Sequence, residues 1–183
     1  AMMAKQTARK GFDLLLEAMS QVWRGYPDTH LLLAGARTPY SEQITSSIRR
    51  LPQAQQKKVT VVDDFDEDEK ADLLSACDIF VLPSGQESFG IAFLEAWACA
   101  KPVIGVRAGA VPSVIDEGQD GLLVKDQDTD ALAAAITEML ENPERRARMG
   151  RAGQQKVLSR YTWKTVTQRV REVYQEVLSQ QSG

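Results

Sequence analysis

The stretch that decides the fold is residues 83–106, PSGQESFGIAFLEAWACAKPVIGV. It follows one apolar run, Ile79–Leu82, and ends in another, Val103–Val106. Between them lie the small and polar residues of a loop and then a helical pattern that begins near Ser88. The order strand, loop, helix, strand predicts one βαβ unit of a parallel sheet. Ligands of such sheets bind at the carboxyl ends of the strands, which is where this loop lies.

Two glutamates flank the predicted helix start. Glu87 lies in the loop, Glu95 follows eight residues later, and Gly90 between them allows backbone to approach a ligand closely. The free N–H groups and the dipole of a helix start favour an anion, and carboxylates accept hydrogen bonds from the paired hydroxyls of sugars. These residues are therefore compatible with a site for a phosphate flanked by polyhydroxyl groups. The spacing is equally compatible with a plain helix that has one acid before it and one on its exposed face.

Composition excludes several classes of protein. The chain has 183 residues, 43% hydrophobic and 26% charged, with a net charge of -3, which fits one soluble globular domain. There is no basic tract for nucleic acid, no apolar run long enough to span a membrane and no signal peptide. Cys77 and Cys99 lack metal-ligand spacing and are predicted to be buried, reduced thiols, which favours a cytoplasmic location. His30 is the only histidine and lies at a predicted strand edge, so the chain is short of general bases.

Apolar runs alternate with helical patterns along most of the chain. This alternation predicts an α/β fold with a parallel sheet and helices on both faces. The predicted strands are Thr29–Ala34, Val59–Val62, Asp78–Leu82, Val103–Val106 and Leu122–Val124. The predicted helices other than the one near Ser88 are Lys10–Tyr26, Ser41–Leu51, Asp66–Ala76, Ser113–Asp116, Asp128–Glu141, Pro143–Leu158 and Trp163–Leu178.

The deciding stretch resembles the signature of the retaining glycosyltransferases of family 4, the group 1 glycosyl transferases. The shared pattern is PS-x-x-E-x-F-G-x-x-x-x-E-A, followed by a PV pair. The likeness extends from Lys10-Gly11 to Tyr161-Thr162-Trp163. One departure is Ala100, where the family usually has a glycine that ends the helix in a left-handed turn. Alanine there is expected to cost about 1 kcal/mol of stability.

The resemblance implies a Rossmann-like domain, one half of a GT-B-type enzyme, with residues 1–183 forming a single nucleotide-sugar-binding domain. Such an enzyme transfers a sugar from a nucleoside-diphosphate sugar to an acceptor with retention of configuration and needs no metal cofactor. Its acceptor binds in an N-terminal domain, which is missing here and through which peripheral membrane association is possible. The last helix, Trp163–Leu178, would face that domain, and this fragment alone is expected to be inactive. The alternatives are a degenerate, non-catalytic nucleotide-binding domain and half of a nucleotide-sugar epimerase.

The resemblance also implies roles for single residues around the donor. Glu87 would be the catalytic residue that contacts the transferred sugar, and Glu95 would hold the ribose hydroxyls. Lys10, just before a glycine, would bind the diphosphate. Backbone N–H groups at the helix start would share that task; they belong to Phe89, Gly90 and Ile91.

Other donor contacts are implied less directly. The hydroxyl of Ser88 would lie beside the diphosphate, Gly35 would lie close to the nucleotide, and the base would rest near Asp64 and Phe65. The family also has a Gly-Arg pair after its first strand. No such strand and no such pair is recognisable before Lys10, so the expectation is either that the sequence begins after the first strand or that the diphosphate contact differs here.

Overall fold

The computed structural model describes residues 1–181, which form alternating strands and helices. The strands are β1 Met2–Met3, β2 Leu31–Gly35, β3 Val59–Asp63, β4 Phe80–Leu82, β5 Val103–Val106 and β6 Gly121–Val124. The helices are α1 Phe12–Gly25, α2 Ser41–Arg50, α3 Gln53–Gln56, α4 Glu67–Ser75, α5 Ile91–Ala98, α6 Val111–Val114, α7 Thr129–Glu141, α8 Pro143–Arg160 and α9 Trp163–Gln181. A single 3-10 turn, Ala8–Lys10, precedes α1.

All strand pairs are parallel, in two three-stranded halves ordered β1-β2-β3 and β4-β5-β6. The halves meet where the Val81 N–H donates to the Ala1 carbonyl at 2.8 Å, so β4 lies beside β1. The order across both halves is therefore β3-β2-β1-β4-β5-β6. The strand numbers fall toward β1 and rise again from β4, so the direction of strand order reverses between these two strands. Such a reversal opens a ligand crevice at the carboxyl ends of the strands. The predicted Rossmann-like architecture is confirmed.

One face of α1 forms a large part of the core. Its apolar residues recur at helical spacing, so one stripe faces the sheet, and every member of that stripe is buried. Helix α1 packs against α7, and α5 packs against α8. The buried stripe of α1 comprises Phe12, Leu15, Leu16, Met19, Val22 and Trp23.

Some sequence expectations were wrong. A first strand is present at Met2–Met3, although none was recognised. Helix α5 begins at Ile91 rather than near Ser88. The segment Gln53–Gln56, which lies outside the predicted helices, forms a helical turn. Cys77 and Cys99 are free thiols as expected, but they are half-buried rather than buried.

Helix α8 is fixed closely to α5. A Cβ atom on Gly153 would lie 1.9 Å from the Trp97 ring, and one on Gly150 would lie 1.9 Å from the Ala100 carbonyl oxygen, so the two helices approach at a distance that only glycine allows. The Lys156 side chain, on α8, is buried, and its ammonium pairs with Asp120 just before β6. These contacts fix the second half of α8 relative to α5 and to the start of β6.

Candidate donor site

The turn before α1 reaches the loop after β4. Gly11 adopts φ +79°, and a Cβ there would lie 2.3 Å from the Pro83 carbonyl oxygen, so only glycine allows this approach. The hydroxyl of Ser84, which is buried, donates to the Arg9 carbonyl at 3.2 Å. The close contact places the Lys10 ammonium against the Glu87 carboxylate in an ion pair. Two of the predicted donor contacts thus meet, although they lie 77 residues apart in sequence.

Glu87 is also held from the other side. Its carbonyl accepts a hydrogen bond of 3.1 Å from the Ala110 N–H, in the loop after β5. Gly109 in that loop has φ +56°, and a Cβ there would lie 2.7 Å from the same carbonyl oxygen. The Glu87 side chain keeps only 11% of its surface exposed. The carboxylate is therefore fixed by backbone contacts and by Lys10.

The start of α5 depends on Gly90. It is buried with φ +86°, and a Cβ there would lie 2.6 Å from the Phe93 ring. Because this left-handed residue interrupts the helical pattern, Ser88 and Phe89 lie in the loop, and α5 starts at Ile91. The first N–H groups of a helix have no partner within it, so those near Gly90 and Ile91 can bind an anion.

Next to this helix start lies a cleft of about 560 Å³. It brings together five of the residues predicted from the sequence, Gly35, Asp64, Phe65, Ile91 and Glu95. They come from the ends of β2 and β3 and from α5, so the cleft occupies the carboxyl edge of the sheet. Its other lining residues are Met3, Ala4, Lys5, Ala36, Glu67, Lys70 and Ala92.

Lys70 orients Glu95. Its ammonium, on α4, lies 2.9 Å from the Glu95 carboxylate and 2.7 Å from that of Glu67. Burial acts to lower the pKa of Lys70, but the hydrogen bonds to the two carboxylates outweigh it, and the pKa is raised. The ammonium therefore stays charged and holds the Glu95 side chain at the cleft. The sequence pattern of α4 did not predict that Lys70 would pair with Glu95.

Two further residues at or beside the cleft were missed. Lys5 lies two residues after the end of β1, lines the cleft and is exposed. A basic residue thus stands after the first strand, where the resemblance implies an arginine. Gln6 is buried, and its side-chain amide donates to the Gly35 carbonyl at 3.2 Å and to the Asp63 carboxylate at 2.6 Å. Both residues follow β1, a strand of only two residues, which is too short to show a periodic pattern in the sequence.

Asp64, predicted near the base, also stands in the left-handed region, with φ +52°. Aspartate tolerates this conformation better than most residues. Its carboxylate accepts a hydrogen bond of 2.9 Å from the Arg37 N–H, which ties the end of β3 to the loop after β2.

A larger cavity of about 720 Å³ lies at the opposite edge of the sheet, beside Thr29, His30 and Asp78. It contains none of the predicted donor contacts, and its walls are mainly apolar side chains from the core. In the described part of the chain, no three His, Cys, Asp or Glu side chains are placed to hold a metal ion.

Comparison with known proteins gives the family. Residues 1–156 match the family model of the group 1 glycosyl transferases. The chain is 34% identical over 174 residues to a GDP-mannose-dependent monoacylated alpha-(1-6)-phosphatidylinositol monomannoside mannosyltransferase of Corynebacterium glutamicum, covering 91% of this chain and 44% of the relative. The chain belongs to the group 1 glycosyl transferases.

Solved structures agree on the fold. Sucrose-phosphate synthase from Thermosynechococcus elongatus is similar with a TM-score of 0.85 and 28% identity, over 97% of this chain and 45% of that one. Anabaena HepE in complex with UDP is similar with a TM-score of 0.83 and 23% identity, over 96% of this chain and 48% of that one. The chain thus corresponds to about half the length of these relatives and has the fold of one half of a GT-B enzyme. No helix within residues 1–181 combines the length and apolar character needed to cross a membrane.

Proposed function

We propose that this chain binds the nucleoside-diphosphate sugar donor of a retaining glycosyltransferase at the cleft beside α5. The observation that carries the proposal is the pairing of two acids with two lysines around one helix start, Glu87 with Lys10 and Glu95 with Lys70. Carboxylates held in this way present oxygens to sugar hydroxyls, while an ammonium beside them neutralises a diphosphate.

In this proposal the nucleotide lies in the cleft, with its base near Asp64 and Phe65 and its ribose at Glu95. Gly35 lines this cleft at the end of β2, where a Cβ atom would lie 1.8 Å from the Ala4 carbonyl oxygen, so its missing side chain allows the close approach of the segment after β1. The ribose hydroxyls would donate to the Glu95 carboxylate, which Lys70 already orients, so little side-chain entropy is lost on binding.

The diphosphate would lie at the start of α5. The N–H groups of Phe89, Gly90 and Ile91 would donate to it, with the Ser88 hydroxyl beside them. Lys10 would contact both the diphosphate and Glu87. Lys5, which lines the cleft, would supply a second positive charge near the diphosphate. In this arrangement lysines and backbone dipoles, rather than a metal ion, stabilise the charge that develops on the leaving group.

Glu87 would contact the transferred sugar, on the far side of the diphosphate from the ribose. In retaining transfer of this kind, the bond from the anomeric carbon to the phosphate oxygen breaks as the acceptor oxygen attacks the same face. The departing phosphate takes the acceptor proton. This route requires no protein base, in keeping with a chain whose one histidine is exposed and lies outside the cleft. The acceptor would bind in the other half of a longer protein.

The test is calorimetric titration of the chain with UDP, GDP and their sugar conjugates. Glu95→Ala is expected to weaken binding of the preferred nucleoside diphosphate by about 1–3 kcal/mol, because charge-assisted hydrogen bonds to ribose are lost. Glu87→Ala is expected to leave that affinity intact, since it frees Lys10 for the diphosphate, and to remove only the additional affinity that the sugar contributes.

Glu138→Ala is a suitable control because Glu138 is also ion-paired, with Arg145, but lies on α7 outside the cleft. The proposal fails if Glu87→Ala costs nucleotide affinity as much as Glu95→Ala does. Absence of any binding by the unaltered chain would instead favour a degenerate domain. The family match already favours a transferase over an epimerase.

A further inference from the structure

The loop that precedes α5 contacts the end of α8 through two aromatic rings. Phe89, in the loop, and Tyr161, the residue after α8, have ring centroids 5.8 Å apart and planes inclined at 76°. This edge-to-face geometry is the favoured one for aromatic pairs, since the positive edge of one ring faces the negative face of the other.

Tyr161 belongs to a rigid part of the molecule. Its N–H donates to the Val157 carbonyl at 2.9 Å, so it caps α8. Helix α8 is fixed in turn by Gly153 against Trp97 and by Lys156, whose ammonium lies 4.9 Å from the centre of the same Trp97 ring. The Tyr161 ring therefore has a defined position relative to α5.

The loop itself is less constrained at this end. Ser88 and Phe89 are exposed, Phe89 to 41%. The Glu87 carbonyl accepts a hydrogen bond from the Ala110 N–H, which restrains the backbone at Glu87. The next residue whose backbone is restrained is Gly90, by its left-handed conformation. Within residues 1–181, the ring contact with Tyr161 is the one aromatic contact that Phe89 makes.

We propose that Tyr161 is a positioning residue for the proposed diphosphate loop, acting through the Phe89 ring. The inference rests on the proposed function, since it concerns how the N–H groups of Phe89, Gly90 and Ile91 are aligned. A loop that is already ordered loses less conformational entropy on binding than one that must be ordered by the ligand. Removal of the Tyr161 ring leaves the loop folded but less ordered, and the diphosphate binds more weakly.

The first test measures binding. Tyr161→Ala is expected to weaken the affinity for UDP or GDP, whichever binds, by about three- to tenfold, the range for loss of one aromatic pair. Tyr161→Phe keeps the ring and restores the affinity. Phe89→Leu has a similar effect to Tyr161→Ala, and the double variant is no weaker than either single one, because both remove the same contact. Tyr174→Ala, at an exposed position on α9, is the matched control.

The second test needs no ligand. In ¹⁵N-labelled chain, the amide resonances of Phe89, Gly90 and Ile91 are expected to shift and their hydrogen exchange to accelerate in Tyr161→Ala, but not in Tyr161→Phe or Tyr174→Ala. Unchanged loop amides and affinity in Tyr161→Ala overturn the proposal, as do additive effects in the double variant. An affinity loss in Tyr161→Phe equal to that in Tyr161→Ala also overturns it, by assigning the effect to the hydroxyl. If the unaltered chain binds neither nucleotide, the proposed function fails, and the amide measurements still decide whether Tyr161 orders the loop.

Discussion

Ala100, two residues after the end of α5, has φ +54°, a conformation that L-residues with a Cβ adopt at a cost. The residue cannot relax freely, because α8 packs against its carbonyl group at Gly150. The left-handed turn expected from the resemblance is therefore confirmed, and the substitution of alanine for glycine leaves strain in the helix end. The strain lies at the opposite end of α5 from Gly90, so it affects stability rather than the candidate donor site.

Ala100→Gly is expected to raise the free energy of unfolding by about 1 kcal/mol, because glycine adopts positive φ without steric cost. Urea denaturation of the two proteins measures the change. The matched control is Ala147→Gly at an exposed position inside α8, where the backbone is right-handed and glycine should destabilise by about 1 kcal/mol. Equal losses of stability in both variants would show that position 100 carries no strain.

The α/β order and the core stripe of α1 could be predicted because they rest on periodic patterns several residues long. Strand β1 could not, since Met2–Met3 is too short to show a period, and Lys5 was missed with it. The start of α5 was misplaced because the helical pattern continues backward through Gly90, whereas the left-handed φ of +86° at Gly90 is visible only in the structure. The pairing of Lys10 with Glu87 depends on contacts between distant parts of the chain.

Helices α1 and α2 are joined by a hydrogen bond whose strength depends on pH. The Tyr40 phenol, just before α2, donates to the Asp13 carboxylate on α1. Burial, and then this hydrogen bond to an anion, raises the pKa of Tyr40 to about 12 from its usual 10.0. Between these values the unfolded chain releases the phenolic proton while the folded chain retains it. The folded state binds more protons there, so stability is expected to fall as pH rises through this window.

Tyr40→Phe removes this contribution and should give a flatter curve of unfolding free energy against pH between 10.0 and about 12. Asp13→Asn should give an intermediate curve, because burial of the phenol remains when the carboxylate is gone. Urea denaturation at several pH values measures the curves, and the ultraviolet absorbance of tyrosinate follows the ionisation directly. Parallel curves for the unaltered chain and Tyr40→Phe across this pH range would contradict the assignment of the pH dependence to the Tyr40 phenol.

The candidate site lies at the junction of the two halves of the sheet. One half contributes Gly35, Asp64 and Phe65 after β2 and β3, and the other contributes Glu87 after β4 and Glu95 on α5. The cleft is open to solvent, and α9 exposes apolar side chains, of which Trp163 is 87% exposed. An exposed apolar face of this kind is typical of a surface that contacts another protein or domain. This chain matches 44% of the mannosyltransferase of Corynebacterium glutamicum, so that relative is about twice as long.

The last prediction follows from this openness. We expect the chain alone to bind a nucleoside diphosphate but to transfer no sugar, because in our proposal the acceptor binds in the other half of a longer protein, and that half would also exclude water from the bond that breaks. The measurement is product formation from UDP-glucose and from GDP-mannose with a panel of hydroxyl acceptors, after calorimetry has shown that the same preparation binds nucleotide. That binding control separates a missing acceptor site from a misfolded donor site. Robust transfer by the 183-residue chain would mean that the acceptor binds within these residues. The proposal that donor and acceptor bind in different halves of a longer protein would then be wrong.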